Sequence, residues 1–322
     1  MCSSDLAPGW LERLAGHLAD PRVALVAPRI TALPARRERR APGGRARSWV
    51  ARYEALSSAL DMGPTAARVA PLSLVSYVPS AALLARRTAL GGGFDASMQV
   101  AEDVDLVWRL AGAGWRVRYE PAAQVAHDHR GELGDWLGRR AFYGTGAALL
   151  AARHGPAVAP VVISPWSAAA WVLALTGRPL GLLAAGGVVG TASAKLARRL
   201  ARPEERPPYP LAGALVTRGT LASGRSLARA VTRHHWPVAA AAALVSRRAR
   251  RMVAVVAVVD VLDAWWPHRH AIDLPAFAAG RRLEDLGYGA GLWWGALRAR
   301  SVAALLPIAP PPISPPPIAP GH

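Results

Sequence analysis

Near Gly155 the sequence changes character, and that change limits the fold more than any other feature. Before it, short apolar runs alternate with helical patterns and with Pro- or Gly-rich breaks, the pattern of a mixed α/β domain. Beyond it Ala, Val, Leu and Trp recur with helical character and few strand signals. The chain therefore reads as an α/β part, 1–150, a mainly helical part, 151–306, and a Pro-rich tail, 307–322, expected to be extended or disordered. At 322 residues and 52% hydrophobic content, it has material for one large core or two ordinary ones.

Within the first part, Trp10, Leu11, Leu14 and Leu18 recur at helical spacing, and Asp20 with Pro21 stops that pattern before a buried strand at 23–27. Residues 31–47, rich in Arg, Pro and Gly, read as a surface loop, followed by a helix at 49–60. Strand signals follow at 72–78 and 82–85, then a turn at 90–95. A helix opening at Glu102 carries Val104, Val107, Trp108 and Ala111 on one face and ends at Gly112 and Gly114. Trp115, Val117 and Tyr119 then alternate with Arg116, Arg118 and Glu120, the period of a strand with one buried face, and Pro121 is expected to close it.

Arginine supplies nearly all the basic charge, Lys195 being the only lysine, and a net charge of +18 favours anionic partners such as nucleotide sugars or lipid head groups. Nucleic acid is not an expected partner, because no helix-turn-helix, zinc-finger or RNA-stacking signature accompanies the arginines. Cys2 is the only cysteine, which excludes intramolecular disulfides and cysteine-based metal clusters and fits a cytoplasmic setting. Residues 1–9 carry neither a basic n-region nor an apolar h-region, so no secretory signal is expected. Residues 180–194 are uncharged, but this run is shorter than the roughly 20 residues a spanning helix needs. Residues 253–262 are fewer still and include Asp260. A buried helical bundle and interfacial helices with Arg247 to Arg251 near anionic lipid both fit, the latter at the inner face of the cell membrane.

The chemistry-bearing residues are Gly91, Gly92, Gly93, Phe94 and Asp95, then Glu102, Asp103 and Asp105, then Gly114, Trp115, Arg116 and Val117, then His127. In that order they resemble the inverting glycosyltransferases of family 2, whose fold is called GT-A, and the resemblance covers roughly residues 5–145. With Ser164, Pro165 and Trp166 and the segment 285–294 added, the whole chain resembles the branch of that family acting in mycofactocin biosynthesis. The resemblance implies a partial GT-A, nucleotide-diphospho-sugar transferase-like domain. It also implies a nucleotide-sugar donor such as UDP-glucose, assistance from Mg²⁺ or Mn²⁺, and mycofactocin or its precursor as acceptor. A lipid or cell-envelope polysaccharide acceptor is the alternative, and a non-catalytic, basic, membrane-associated helical protein is the third reading.

Sugar transfer needs a carboxylate to take the acceptor proton and positive charge to stabilise the departing diphosphate. By resemblance Asp103 is the catalytic base and Glu102 orients the acceptor, while Gly92, Gly93, Asp95 and Asp105 belong to substrate binding. First-turn backbone donors are expected to fix Asp103 and favour its ionised form. The competing reading makes Glu102 and Asp103 an acidic helix start and nothing more. His127 is a candidate metal ligand, or with Asp128, His129 and Arg130 a solvated turn; Asp5 is the other metal candidate. Arg139 and Arg140, near Tyr143, suit a diphosphate or form a basic helix face. The resemblance further implies a nucleotide-binding half ahead of Pro8, Gly9, Trp10 and Leu11, where this chain has only a few residues, so the sequence reads as an incomplete catalytic domain.

Overall fold

Two apolar runs make the sheet. Val23, Leu25 and Val26 begin β2 (Val23–Ala32), and Val117, Tyr119, Ala123 and Val125 are the buried residues of β5 (Arg116–His127). In this computed structural model, residues 4–33, 48–127, 132–202 and 205–310 are described. The Pro-rich stretch beyond residue 310, most of the 31–47 loop and the His129 turn lie outside them.

β5 is the centre of the sheet, parallel to β2 on one side. On the other it pairs antiparallel with β1 (Ser4–Leu6) through its last residues and with β3 (Ala67–Val69) through its first. β4 (Leu84–Ala85) pairs antiparallel with β2 at the edge. Pro121 does not end β5: the register against β2 slips between Pro28 and Arg29, so Pro121 falls in an irregular stretch where its missing N–H leaves no ladder bond unmade. The strand expected at 72–78 is reduced to a single bridge at Val75, because Leu72 takes a left-handed conformation, φ 59°, that breaks the extended run.

Leu25, Ala27, Val117 and Tyr119 meet Leu106, Val107, Trp108 and Leu110 of α3 (Glu102–Gly112) on one face of the sheet. Val23, Val26 and Ala123 meet Leu14 of α1 (Trp10–His17), with Trp10 and Leu18 beside it, on the other. Helix α2 (Trp49–Ser57) begins at Ser48, whose hydroxyl accepts from the Ala51 N–H at 3.1 Å.

The described residues form two units that do not follow chain order. Residues 4–158 and 265–304 make one, and 159–264 with 305–310 make the other. The segment expected to lie wholly in the helical second part thus returns to the first. Its helix, here α10 (Leu274–Ala299), packs on α4 (Leu133–His154) through glycines. A Cβ on Gly291 would overlap the Ala141 carbonyl, one on Gly144 would overlap that of Tyr288, and one on Gly295 would come within 2.8 Å of the Thr145 carbonyl oxygen. Only bare glycine backbone lets two helices approach this closely.

The second unit holds α5 (Pro165–Ala174), α6 (Pro179–Leu200), α7 (Tyr209–Arg229), α8 (Trp236–Val245) and most of α9 (Arg247–Trp265). The Trp171 ring lies over Gly224, its indole N–H donating to the Thr220 carbonyl at 3.0 Å, and the Ser167 and Ser223 hydroxyls bond at 2.7 Å. Helix α6 runs past the uncharged 180–194 stretch to 22 residues, and by length and composition is long and apolar enough to cross a membrane.

Gly291→Ala is expected to destabilise the protein by about 1–3 kcal/mol in urea denaturation, because backbone cannot yield as a flexible side chain would. Gly213→Ala, in α7, where an added Cβ meets nothing within 4 Å, is expected to stabilise its helix by about 0.5–1 kcal/mol.

Candidate active site

Leu90 to Asp95 turn the chain ahead of α3, with Gly91 and Gly93 at φ 54° and 69°, values that favour glycine. Asp95 closes the turn by accepting from the Ser97 N–H at 2.8 Å and its hydroxyl at 2.6 Å. The chain then enters α3 through Ala101, held at φ 62° and ψ 20° without the excuse of being glycine. Helix α4 backs this residue: a Cβ on Gly146 would stand 2.9 Å from the Ala101 Cβ and 3.2 Å from a Val100 methyl.

This entry sets Glu102 and Asp103 at the start of α3, both half-buried. One Asp103 oxygen accepts from the Val104 N–H at 2.8 Å and the other from the Ser80 N–H at 3.1 Å. One first-turn donor, Val104, and one from outside the helix, Ser80, hold the carboxylate. They do not win the electrostatics. Burial, with the Glu102 charge adding to it, outweighs those donors and raises the Asp103 pKa above the ordinary value. Asp103 is a stronger base than a solvated aspartate.

Two residues on, Asp105 has the opposite fate. It is fully buried, and burial alone would raise its pKa; hydrogen bonds from Arg109 and His154, with the charges of Arg109 and Arg153, reverse that and hold it low. Arg109 reaches it at 2.8 Å and His154 at 2.9 Å. The same Arg109 donates to the Gly93 carbonyl at 2.6 Å, and Arg153 pairs with Asp95 at 2.7 Å. Asp105 and Asp95 thus lock the glycine turn to α3 and to the end of α4, both carboxylates being engaged by groups of the protein. Gly92 lies in the same exposed turn.

Arg140 is likewise turned inward. It is buried with Glu54, at 2.6 Å and 2.8 Å to the two carboxylate oxygens, and Glu54 also accepts from the Trp136 indole. Burial raises the Glu54 pKa against the pull of Arg140. Tyr53 continues the network, its hydroxyl donating to Glu284 of α10 at 2.7 Å. Arg139, one residue earlier, is half-exposed over the rings of Phe142 at 5.6 Å and Tyr143 at 5.8 Å. Shielding from water raises the Tyr143 pKa, Arg139 and Arg140 oppose it, and the charges of Asp103 and Glu54 add to it.

The two metal candidates are neighbours in the sheet but not partners. The β1–β5 register pairs His127 with Ser4 and Asp5 with Ala126, so the Asp5 and His127 side chains leave opposite faces. Among the described residues no three His, Cys, Asp or Glu side chains converge to hold a metal ion. The described residues thus assemble no divalent-cation site by themselves, and no step is routed through one.

Ser80, Glu54, Arg153 and His154 were not singled out from the sequence. Ser80 acts through its backbone N–H, which no residue type announces, and the others meet their partners only because α4 crosses behind α3 and α2.

Residues 3–201 match the family described as glycosyl transferase family group 2. Over 315 aligned residues, 94% of this chain, the sequence is 48% identical to the pre-mycofactocin glycosyltransferase of Mycobacterium tuberculosis strain CDC 1551 / Oshkosh. It is equally similar to the protein of that name from strain ATCC 25618 / H37Rv. The chain spans 64% of the length of these relatives. No solved structure matches.

Asp105 is worth testing through pH. Its depressed pKa gives stability that is present above the ordinary carboxylate value of 3.8 and lost as pH falls through the lower folded-state value. Asp105→Asn is expected to cost about 3 kcal/mol at neutral pH in urea denaturation and to flatten the wild-type loss of stability below about pH 4.

Proposed function

The chain belongs to glycosyl transferase family group 2, and from that membership we propose that it carries the acceptor side of an inverting sugar transfer, with Asp103 as the base. The observation that supports this reading most is the Asp103 carboxylate, held by two backbone donors at a helix start while burial raises its proton affinity. A base of that kind takes a proton more readily than a free aspartate.

In the transfer the acceptor hydroxyl gives its proton to Asp103 as its oxygen bonds to the anomeric carbon. The bond from that carbon to the diphosphate oxygen breaks, and the nucleoside diphosphate leaves with the electron pair. Glu102 lies beside Asp103 to orient the acceptor, and the half-exposed Arg139, over the Tyr143 ring, is the cation offered to the diphosphate. UDP-glucose is the donor we favour; Mg²⁺ or Mn²⁺, which the family resemblance implies, stays outside the step because the described residues assemble no site for it. The relatives' name supports mycofactocin or its precursor as acceptor. The many exposed apolar residues of the helical unit favour a second reading, a lipid or cell-envelope acceptor at the inner face of the membrane.

The test is transfer of labelled glucose from UDP-glucose to mycofactocin precursor, with Mn²⁺ in the buffer, by the protein and by Asp103→Asn. The variant is expected to lose about 10²–10⁴-fold in rate with an unchanged circular dichroism spectrum. Transfer to lipid-linked acceptors alone would move the acceptor assignment to the envelope. Transfer that Asp103→Asn leaves intact would reduce Glu102 and Asp103 to a helix start.

A further inference from the structure

The helical unit carries an unusual distribution of charge. Residues 159–264 contain fourteen Arg and Lys and four acids, Glu204, Glu205, Asp260 and Asp263, so this unit holds much of the net +18. Four of the arginines, Arg247, Arg248, Arg250 and Arg251, fall in the first turns of α9, where the positive end of the helix dipole opposes cations. That placement works against the helix and in favour of an external anion.

The same end of the unit is where apolar side chains project furthest. Arg248 donates to the carbonyls of Leu175 at 3.4 Å and Thr176 at 3.0 Å, which fixes the α8–α9 junction beside the tight α5–α6 turn. That turn is closed by Gly177 at φ 66° and by Gly181, where a Cβ would overlap Thr176. The tip so formed presents Leu180 and Leu183, 80% and 73% exposed, and Leu244 and Val245, 82% and 88% exposed. Around them lie the exposed Arg178, Arg247, Arg250 and Arg251, and no acidic residue occurs in 159–203 or 206–259.

We propose that this tip is a peripheral docking surface for an anionic lipid bilayer. Leu180, Leu183, Leu244 and Val245 enter the acyl boundary, and the surrounding arginines engage lipid phosphates. Apolar residues projecting from a basic rim match both layers of a membrane interface, the hydrocarbon and the charged head groups. A nucleic acid would satisfy the arginines but gives the projecting leucines no partner. The surface takes no part in the transfer chemistry, so its test reads binding and is independent of turnover.

The full chain is sedimented with phosphatidylcholine vesicles with and without phosphatidylglycerol, at about 0.15 M salt to screen weak surface attraction. Binding is expected with the anionic vesicles, and Leu180→Glu combined with Leu244→Glu is expected to weaken it at least about tenfold. A control with the same charge change in the first unit, Leu74→Glu with Leu297→Glu, 81% and 66% exposed in the wild type, is expected to bind like the parent. Arg247→Gln with Arg250→Gln should weaken binding to anionic vesicles while leaving the circular dichroism spectrum unchanged. Equal losses in the tip and control variants would overturn the proposal. So would binding that the leucine changes spare while a single-stranded oligonucleotide competes it away, an outcome that assigns the arginines to polyanions in general.

Discussion

Helix α4 meets α10 backbone to backbone, and the organisation around Asp103 depends on that crossing. Gly144, Gly291 and Gly295 remove the side chains that would hold the two helices apart. Once α4 is fixed, its other faces act on the site. Gly146 fits against Ala101, Arg153 and His154 reach Asp105, and Arg140 draws in Glu54 of α2. A loosened crossing would therefore be felt at Ala101 and Asp105 of the acid-bearing segment and at Glu54 of α2.

The two aspartates of α3 show how position in a fold divides one chemical type into two jobs. Asp105 has Arg109, Arg153 and His154 against its two oxygens and its pKa is held low, which makes it a fastener. Asp103 has only backbone dipoles and a neighbouring acid, so burial dominates and its proton affinity rises. Separate environments two residues apart let a single helix turn carry one clamped carboxylate and one of raised proton affinity.

Much of the first unit was legible because its signals are local. The alternation in β5, the apolar run of β2 and the helical spacing of α1 and α3 each follow from side chains within a few positions. The Glu102–Asp103 pair was legible as an acidic helix start, yet not the direction of the Asp103 pKa shift, since burial is set by distant residues. The return of α10 was not legible for a related reason. Glycines at 287, 291 and 295 lower helix propensity when read alone, and become a packing surface only when α4 is laid against them. Arg140 shows the same limit from the other side, since a paired arginine looks free for phosphate until Glu54 is found buried beside it.

The contact between Gly146 and Ala101 has a consequence for how such a site could change over time. The atom that a larger residue at 146 would strike is the methyl of Ala101, and Ala101 already occupies a backbone region that glycine enters more easily. Glycine at 101 would accept an alanine at 146, whereas alanine at both would displace the start of α3. The two positions behave as one heritable character, and drift at either is admitted only in an order that vacates the space before it is filled.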